Sequence, residues 1–405
     1  VVPTTRRDDN ARHFMQYPYG TPRAPSVPLG PLAPALIRAT THGFATADEI
    51  RIFGARQVHT DFYPRYGHSN GRDFEAFVAE LEGAEGAVAF ASGMAATAAV
   101  MFSLCSAGDR VAVARQCYGG TISLATKDLP RFGMTVDVFD ALDARDRARA
   151  LAQRPKLCII ESPINPTLRL VDVAATAGEC RAVGTLLMVD ATFGPPPLQR
   201  LLGCGADLVM HSATKYLGGH SDVLAGVIAG RHELLATIES FRARSGAMLG
   251  ADGAWLLCRS AATHTLRVNA QQDAAVWLAR ALRERAGPRS PLASVIHPSL
   301  EDHPDRTLRE RQMPGGGGAM LSIEVRGGLP AAIAVSEALR VVARAPSLGG
   351  VESVVSLPAH TSHALLPATE RAALGIGDGM LRISVGLEPR ERLLADLLGA
   401  IGIVE

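Results

Sequence analysis

Only three lysines occur in this 405-residue chain, at positions 127, 156 and 215, against 38 arginines. A guanidinium stays protonated, whereas a lysine amine can lose its proton and condense with an aldehyde. Lys215 lies at the centre of L-V-M-H-S-A-T-K-Y-L-G-G-H-S-D (208–222), just after an apolar run and flanked by Ser212 and Thr214. An aldehyde cofactor held there needs donors for its phosphate, and a Gly-rich turn opening a helix supplies them as backbone N–H groups; Ser92-Gly93-Met94 running into A-A-T-A-A-V fits. The two hydroxyls beside Lys215 add further donors. A pyridine nitrogen needs a carboxylate to stay protonated, and Asp190 ends the run L-L-M-V. Buried alone that carboxylate would be costly, so a cationic partner is expected.

These residues are far apart in sequence and need elements that bring them together. Seven apolar runs, at 87–90, 110–114, 136–139, 157–161, 186–189, 208–211 and 225–229, alternate with helical patterns. They predict an α/β architecture: an open, mostly parallel seven-stranded sheet covered on both faces. Ligands bind such sheets beyond the carboxyl ends of the strands. The polar residues there are Ser92-Gly93-Met94, Tyr118-Gly119-Gly120-Thr121, Ser162 to Pro166 with Asn165 among them, Asp190-Ala191-Thr192 and Ser212 to Lys215. Ser and Thr also cap helices and Asp opens turns, so the conjunction carries the weight.

Prolines at 3, 18, 22, 25, 28, 31 and 34 favour extended chain, and residues 1–62 read as a proline-rich arm before a large domain over 63–245. Phe74, Phe77, Val78 and Leu81 have the spacing of a one-sided helix. Further on, Leu266, Ala270, Ala274, Trp277 and Leu278 predict a long helix. Strands at 321–325 and 381–385 around a helix at 330–343 predict a smaller α+β domain within 246–405.

A formal net charge of +1 offers no footprint for nucleic acid or an anionic membrane, and the longest apolar run, 95–105, is too short to span a bilayer. Small neutral or zwitterionic metabolites fit better. The six cysteines form no C-x-x-C pair and the start lacks the apolar core of a signal peptide, which together read as a cytoplasmic protein. His360 and His363 lack an H-E-x-x-H context, so no metal is expected, and no G-x-G-x-x-G follows the first strand to hold a nicotinamide cofactor.

Taken in order, Y-P-R-Y-G-H-S-N, A-S-G-M-A-A, Y-G-G-T, E-S-P-I-N-P-T-L, V-D-A-T-F, H-S-A-T-K-Y-L-G-G-H-S-D, G-G-V-E-S and L-R-I-S-V-G-L-E resemble the Cys/Met metabolism family of pyridoxal 5'-phosphate (PLP) enzymes. This is the cystathionine γ-synthase, cystathionine γ-lyase and methionine γ-lyase group. The resemblance implies PLP fold type I, the aspartate aminotransferase-like fold. It makes Lys215 the Schiff-base lysine and proton shuttle, and Tyr118 the ring stacked on the pyridine and a candidate acid or base. Asp190 would pair with the pyridinium beside Thr192, and Ser92, Gly93, Met94, Ser212 and Thr214 would surround the phosphate. Tyr63 and Arg65 match a pair that reaches a neighbouring subunit's phosphate, which implies a homo-oligomer: a dimer with shared active sites, or a tetramer. Asn165, Ser353 and Arg382 would hold the substrate's carboxylate, Arg382 through its planar fork.

The implied reaction is γ-replacement or γ-elimination on an amino acid, through a vinylglycine-type quinonoid intermediate. Two departures bear on the substrate. His68-Ser69-Asn70 stands where the family has N-P-T, and Leu357 to His363 stands where it has H-P-A-S-M-T-H. They put the usual sulfur amino acids in question and admit O-acylhomoserine or S-adenosylmethionine as the donor of the leaving group. Two alternatives stay open. One is a β- or γ-lyase of cystathionine- or methionine-type substrates; the other is a catalytically silent scaffold relative, which intact Lys215, Asp190, Tyr118 and Arg382 oppose.

Overall fold

The computed structural model describes residues 33–55 and 62–404. The extended arm expected over 1–32 and 56–61 lies outside the described residues. Within the described part, Ala47–Ala55 corrects that expectation, because it is an α-helix. Thr46 Oγ1 accepts the Glu49 N–H at 3.2 Å, and the Glu49 carboxylate accepts the N–H groups of Ala45 and Thr46 at 2.8 and 3.3 Å. This reciprocal capping box starts a helix in the proline-free stretch between Pro34 and Pro64.

The seven expected strands form one sheet: β1 (Gly86–Phe90), β2 (Arg110–Ala114), β3 (Thr135–Phe139), β4 (Leu157–Glu161), β5 (Leu186–Asp190), β6 (Leu208–His211) and β7 (Gly226–Gly230). Their order is β1-β7-β6-β5-β4-β2-β3. Only β7 runs against its neighbours. Parallel neighbours need a crossover, usually helical, whereas β6 and β7 are joined by residues 212–225 without a helix, and the chain turns back. That connection carries Lys215. Alternation along β1 sends Val88 and Phe90 into one apolar cluster and Ala87 and Ala89 into another, so the sheet is covered on both faces. Phe74 and Val78, on the helix Ser69–Glu82, belong to the second of these clusters.

A second sheet holds β8 (Leu292–Ile296), β9 (Met320–Val325), β10 (Ala343–Arg344), β11 (Val354–Ser356) and β12 (Met380–Ser384), in the order β10-β11-β12-β9-β8. The expected strands at 321–325 and 381–385 are β9 and β12. The helix expected over 330–343 instead spans Gly328–Ala338. Beyond it the Asp396 carboxylate accepts the N–H groups of Arg340, Val341 and Val342 at 2.8, 2.8 and 3.0 Å, which fastens them outside a helix.

The long helix is present as His264–Arg283, but its inner face is rotated from the expected one: Leu266 is 71% exposed. His264, Arg267 and Gln271 are buried in its stead. Arg267 Nη1 donates to Tyr216 O at 2.9 Å, Gln271 Nε2 to Gly350 O at 2.6 Å and His264 Nε2 to Pro196 O at 2.6 Å. Buried carbonyls demand donors, so polar side chains take the inner face and hold the segment after Lys215.

Candidate active site

Residues beyond five strand ends meet around Lys215. Ser92 caps the helix Gly93–Leu104, its hydroxyl accepting the Ala95 N–H at 3.0 Å. The N–H groups of Gly93 and Met94 belong to the first turn and have no partner within the helix. A Cβ on Gly93 would stand 3.0 Å from the Ser212 Cβ, and one on Gly226 only 2.3 Å from Ser92 O. Glycine at both places lets β7, the Ser92 turn and the end of β6 pack closely beside the free N–H groups of the helix, an arrangement suited to an anion. Thr192 Oγ1 accepts the Ser212 N–H at 2.9 Å, which ties in the end of β5. The Thr214 hydroxyl is engaged with Ala225 both ways, donating to its carbonyl at 3.1 Å and accepting its N–H at 3.0 Å. Ser212 therefore presents the freer of the two hydroxyls.

Asp190 is buried, with one carboxylate oxygen accepting the Thr192 N–H at 3.0 Å. Among the described residues no cation bonds to it. Burial raises its pKa, while the hydrogen bonds from Thr192 and the nearby His211 oppose the rise. A buried carboxylate lacking a counter-ion is what a protonated ring nitrogen would complete. Tyr118 is 50% exposed, with its N–H donated to Glu161 at 2.7 Å. Its ring can cover a flat cofactor. Sequence reasoning passed over Glu161, although it ends an apolar run just as Asp190 does and pairs with Asp190 in register.

Lys215 Nζ donates to Ser347 Oγ at 2.6 Å. Burial, and then the charge of Arg382, push its amine down to about 8. Arg382, on β12, is buried; Nη1 donates to Asn165 Oδ1 at 3.0 Å and Nη2 to Ser347 O at 2.9 Å. Its Nε is buried without a partner, and among the described residues no carboxylate forms an ion pair with it. Burial alone lowers this guanidinium, to about 10, against the pull of Tyr216 and Glu161. Such a cation can receive an incoming carboxylate, since among the described residues it is not tied into a structural salt bridge.

Ser353 is a correction to the expected substrate contacts. Its hydroxyl donates to Glu388 at 2.7 Å and accepts the Gly386 N–H at 2.8 Å, so it is committed to the link between the segment before β11 and the one after β12. Ser347 stands in the cluster instead, with φ of +85°, a region that costs a side-chain-bearing residue strain. The strand before Ser347, β10, is only two residues long, so the strand-end rule misses it. Arg382→Lys keeps the charge but loses the fork and should weaken binding of an unreactive amino acid by about 1.5–3 kcal/mol, read by competition against substrate. Unchanged affinity would mean the carboxylate is held elsewhere.

Among the described residues, the contacts of Tyr63 and Arg65 lie outside this cluster. Arg65 donates to Ala243 O at 2.6 Å and lies 4.6 Å over the Tyr66 ring. The departure at 68–70 also serves the scaffold, which removes one reason for questioning the usual substrates. His68 Nδ1 accepts the Gly71 N–H at 3.1 Å and Nε2 bonds Leu249 O at 2.8 Å, while the Asn70 side chain fastens Ala35 and Ile37. The departure at 360–363 lies at the site. The Ser362 carbonyl is 3.7 Å from where a Cβ of Gly119 would stand, next to Tyr118. His363, pushed down to about 4 by burial and then by Arg382 and Arg371, is neutral and bonds the Ser362 hydroxyl at 2.9 Å.

The sequence profile described as Cys/Met metabolism PLP-dependent enzyme matches residues 23–402. The O-succinylhomoserine sulfhydrylase of Pseudomonas aeruginosa is 40% identical over 91% of each chain, and the L-methionine gamma-lyase of Pseudomonas putida 36% identical over 92% of this chain and 93% of its own. A crystal structure of cystathionine gamma synthase from Xanthomonas oryzae pv. oryzae in complex with cystathionine superposes with a TM-score of 0.86 at 35% identity, covering 99% of this chain and 98% of that one. Sequence and fold are thus shared with these enzymes over almost the whole chain, and the protein belongs to the Cys/Met metabolism family of PLP-dependent enzymes.

Proposed function

We propose that this enzyme carries out γ-replacement or γ-elimination on an amino acid, with an O-acylated homoserine as the first candidate substrate and a sulfur nucleophile as its partner. The observation that carries the reading is the linkage through Ser347: its hydroxyl receives the Lys215 amine and its carbonyl anchors the Arg382 fork. A base beside a carboxylate clamp is what removal of a proton next to that carboxylate requires. The names of the relatives support attack at the γ carbon, since they include a sulfhydrylase of O-succinylhomoserine and a γ-lyase of methionine.

PLP, when bound, supplies an electron sink conjugated to the substrate's α-carbon. Lys215 would capture its aldehyde, Asp190 would pair with its ring nitrogen, and the Ser92–Met94 turn with Ser212 would receive its phosphate. Arg382 and Asn165 grip the substrate carboxylate, which sets the α-proton before the Lys215 amine. With a pKa near 8, that amine is partly neutral at physiological pH and can accept the proton and return it one or two carbons along. Tyr118 and the Ser362–His363 pair lie near one another and would be the groups to test for contact with the leaving group. Turnover in heavy water tests the reading: the replacement product should carry deuterium at both its α and β carbons, by mass spectrometry and proton NMR. Deuterium at the α carbon alone would eliminate γ-chemistry and leave β-replacement or racemisation.

A further inference from the structure

We propose that Glu161 is a positioning residue: a single buried carboxyl that sets the separation between the Tyr118 ring and the carboxylate clamp by accepting one backbone N–H from each side. Glu161 ends β4 at 4% exposure, and its two oxygens go to different segments. Oε2 accepts the Tyr118 N–H at 2.7 Å, and Oε1 accepts the Asn165 N–H at 3.3 Å. Tyr118 lies beyond the end of β2 and Asn165 beyond the end of β4, so the carboxyl bridges two loops that share no other hydrogen bond shown between them. The Asn165 side chain in turn receives Arg382 at 3.0 Å. Movement of Glu161 would therefore shift both the ring covering the cofactor and the group that orients the substrate.

The charge state follows from the neighbours. Glu161 is the strand partner of Asp190, and the charged or titratable groups acting on it or through it are Asp190 on β5, Arg382 on β12 and Cys117 before Tyr118. Two adjacent buried carboxyls are not both ionised without cations to match, and the ring nitrogen requires the charge on Asp190. Glu161 then keeps the proton: burial and Asp190 push it well above the usual carboxylate range, and outweigh the N–H bonds from Tyr118 and Asn165 and the charge of Arg382, which pull the other way. Glu161 is thus a neutral spacer and Asp190 the ion.

The inference rests on the PLP site and not on the γ-carbon reaction, so the test uses glycine, which has no leaving group. Glu161→Gln, Glu161→Asp and Glu161→Ala are prepared as PLP-loaded proteins, and glycine affinity is read from the change in cofactor absorbance. Glutamine keeps the size and neutrality but orphans one N–H, and should weaken glycine by about tenfold; aspartate is one methylene short for both N–H groups and should weaken it about a hundredfold. Alanine should be at least as poor as aspartate. Aspartate equal to or better than glutamine would show that a charge is needed there and overturn the neutral spacer. Lower melting temperatures with unchanged glycine affinity in all three would reduce Glu161 to packing and overturn the proposal entirely.

Discussion

Lys215→Arg is expected to lower turnover by more than about 10⁴-fold, which is ~5.5 kcal/mol of barrier, with the circular dichroism spectrum retained. Arginine keeps the positive charge and fills a similar volume, so packing and electrostatics change little while the one amine in the cluster disappears. A guanidinium neither condenses with an aldehyde nor gives up a proton in this pH range. The yellow absorbance expected of an attached cofactor should be absent from the variant after gel filtration. The wild-type amine adds a pH signature. Because burial and Arg382 depress it to about 8, reloading of the cofactor-free protein should accelerate as pH rises towards 8 and level off above it. Turnover in the variant within about tenfold of the parent, a loss of only ~1.4 kcal/mol, would remove Lys215 from the chemistry.

Asp190→Asn is the second large effect. The carboxylate is buried, is held by Thr192 and has no cation among the described residues, so its charge is open to a ligand. Asparagine preserves the shape and one acceptor but removes that charge. Breaking one side of a buried charge pair costs about 3–5 kcal/mol, which is roughly a hundredfold to several thousandfold. The loss should be shared between weaker cofactor retention on dialysis and slower turnover of what remains bound. Full retention together with parental turnover would show that the ring nitrogen is not held by this residue.

The strands and their order of appearance were legible in the chain because burial along a sheet shielded on both faces leaves short, uninterrupted apolar runs. All seven strands of the large sheet fall on such runs, and Ser92, Tyr118, Asp190 and Lys215 follow them closely. Lys215, as one of only three lysines, was conspicuous by composition alone. What a polar side chain does depends on what folding brings against it, and that information is spread over the chain. Ser353 and Ser347 are six positions apart in one segment. Glu388 and Gly386 claim the first, and Lys215, 132 positions away, reaches the second. His68 and Asn70 differ from the family pattern, yet Leu249, Ala35 and Ile37 draw them into the scaffold. Leu266 fits a helical stripe but faces outward, because buried carbonyls at Tyr216, Pro196 and Gly350 require Arg267, His264 and Gln271 on the inside. The sequence by itself determined the strands of the large sheet and the candidate residues just after them, since each depends on near neighbours. Tertiary structure alone decided which hydroxyls and carboxyls remain free for chemistry, since a hydrogen bond to a distant residue commits a side chain without leaving a local pattern.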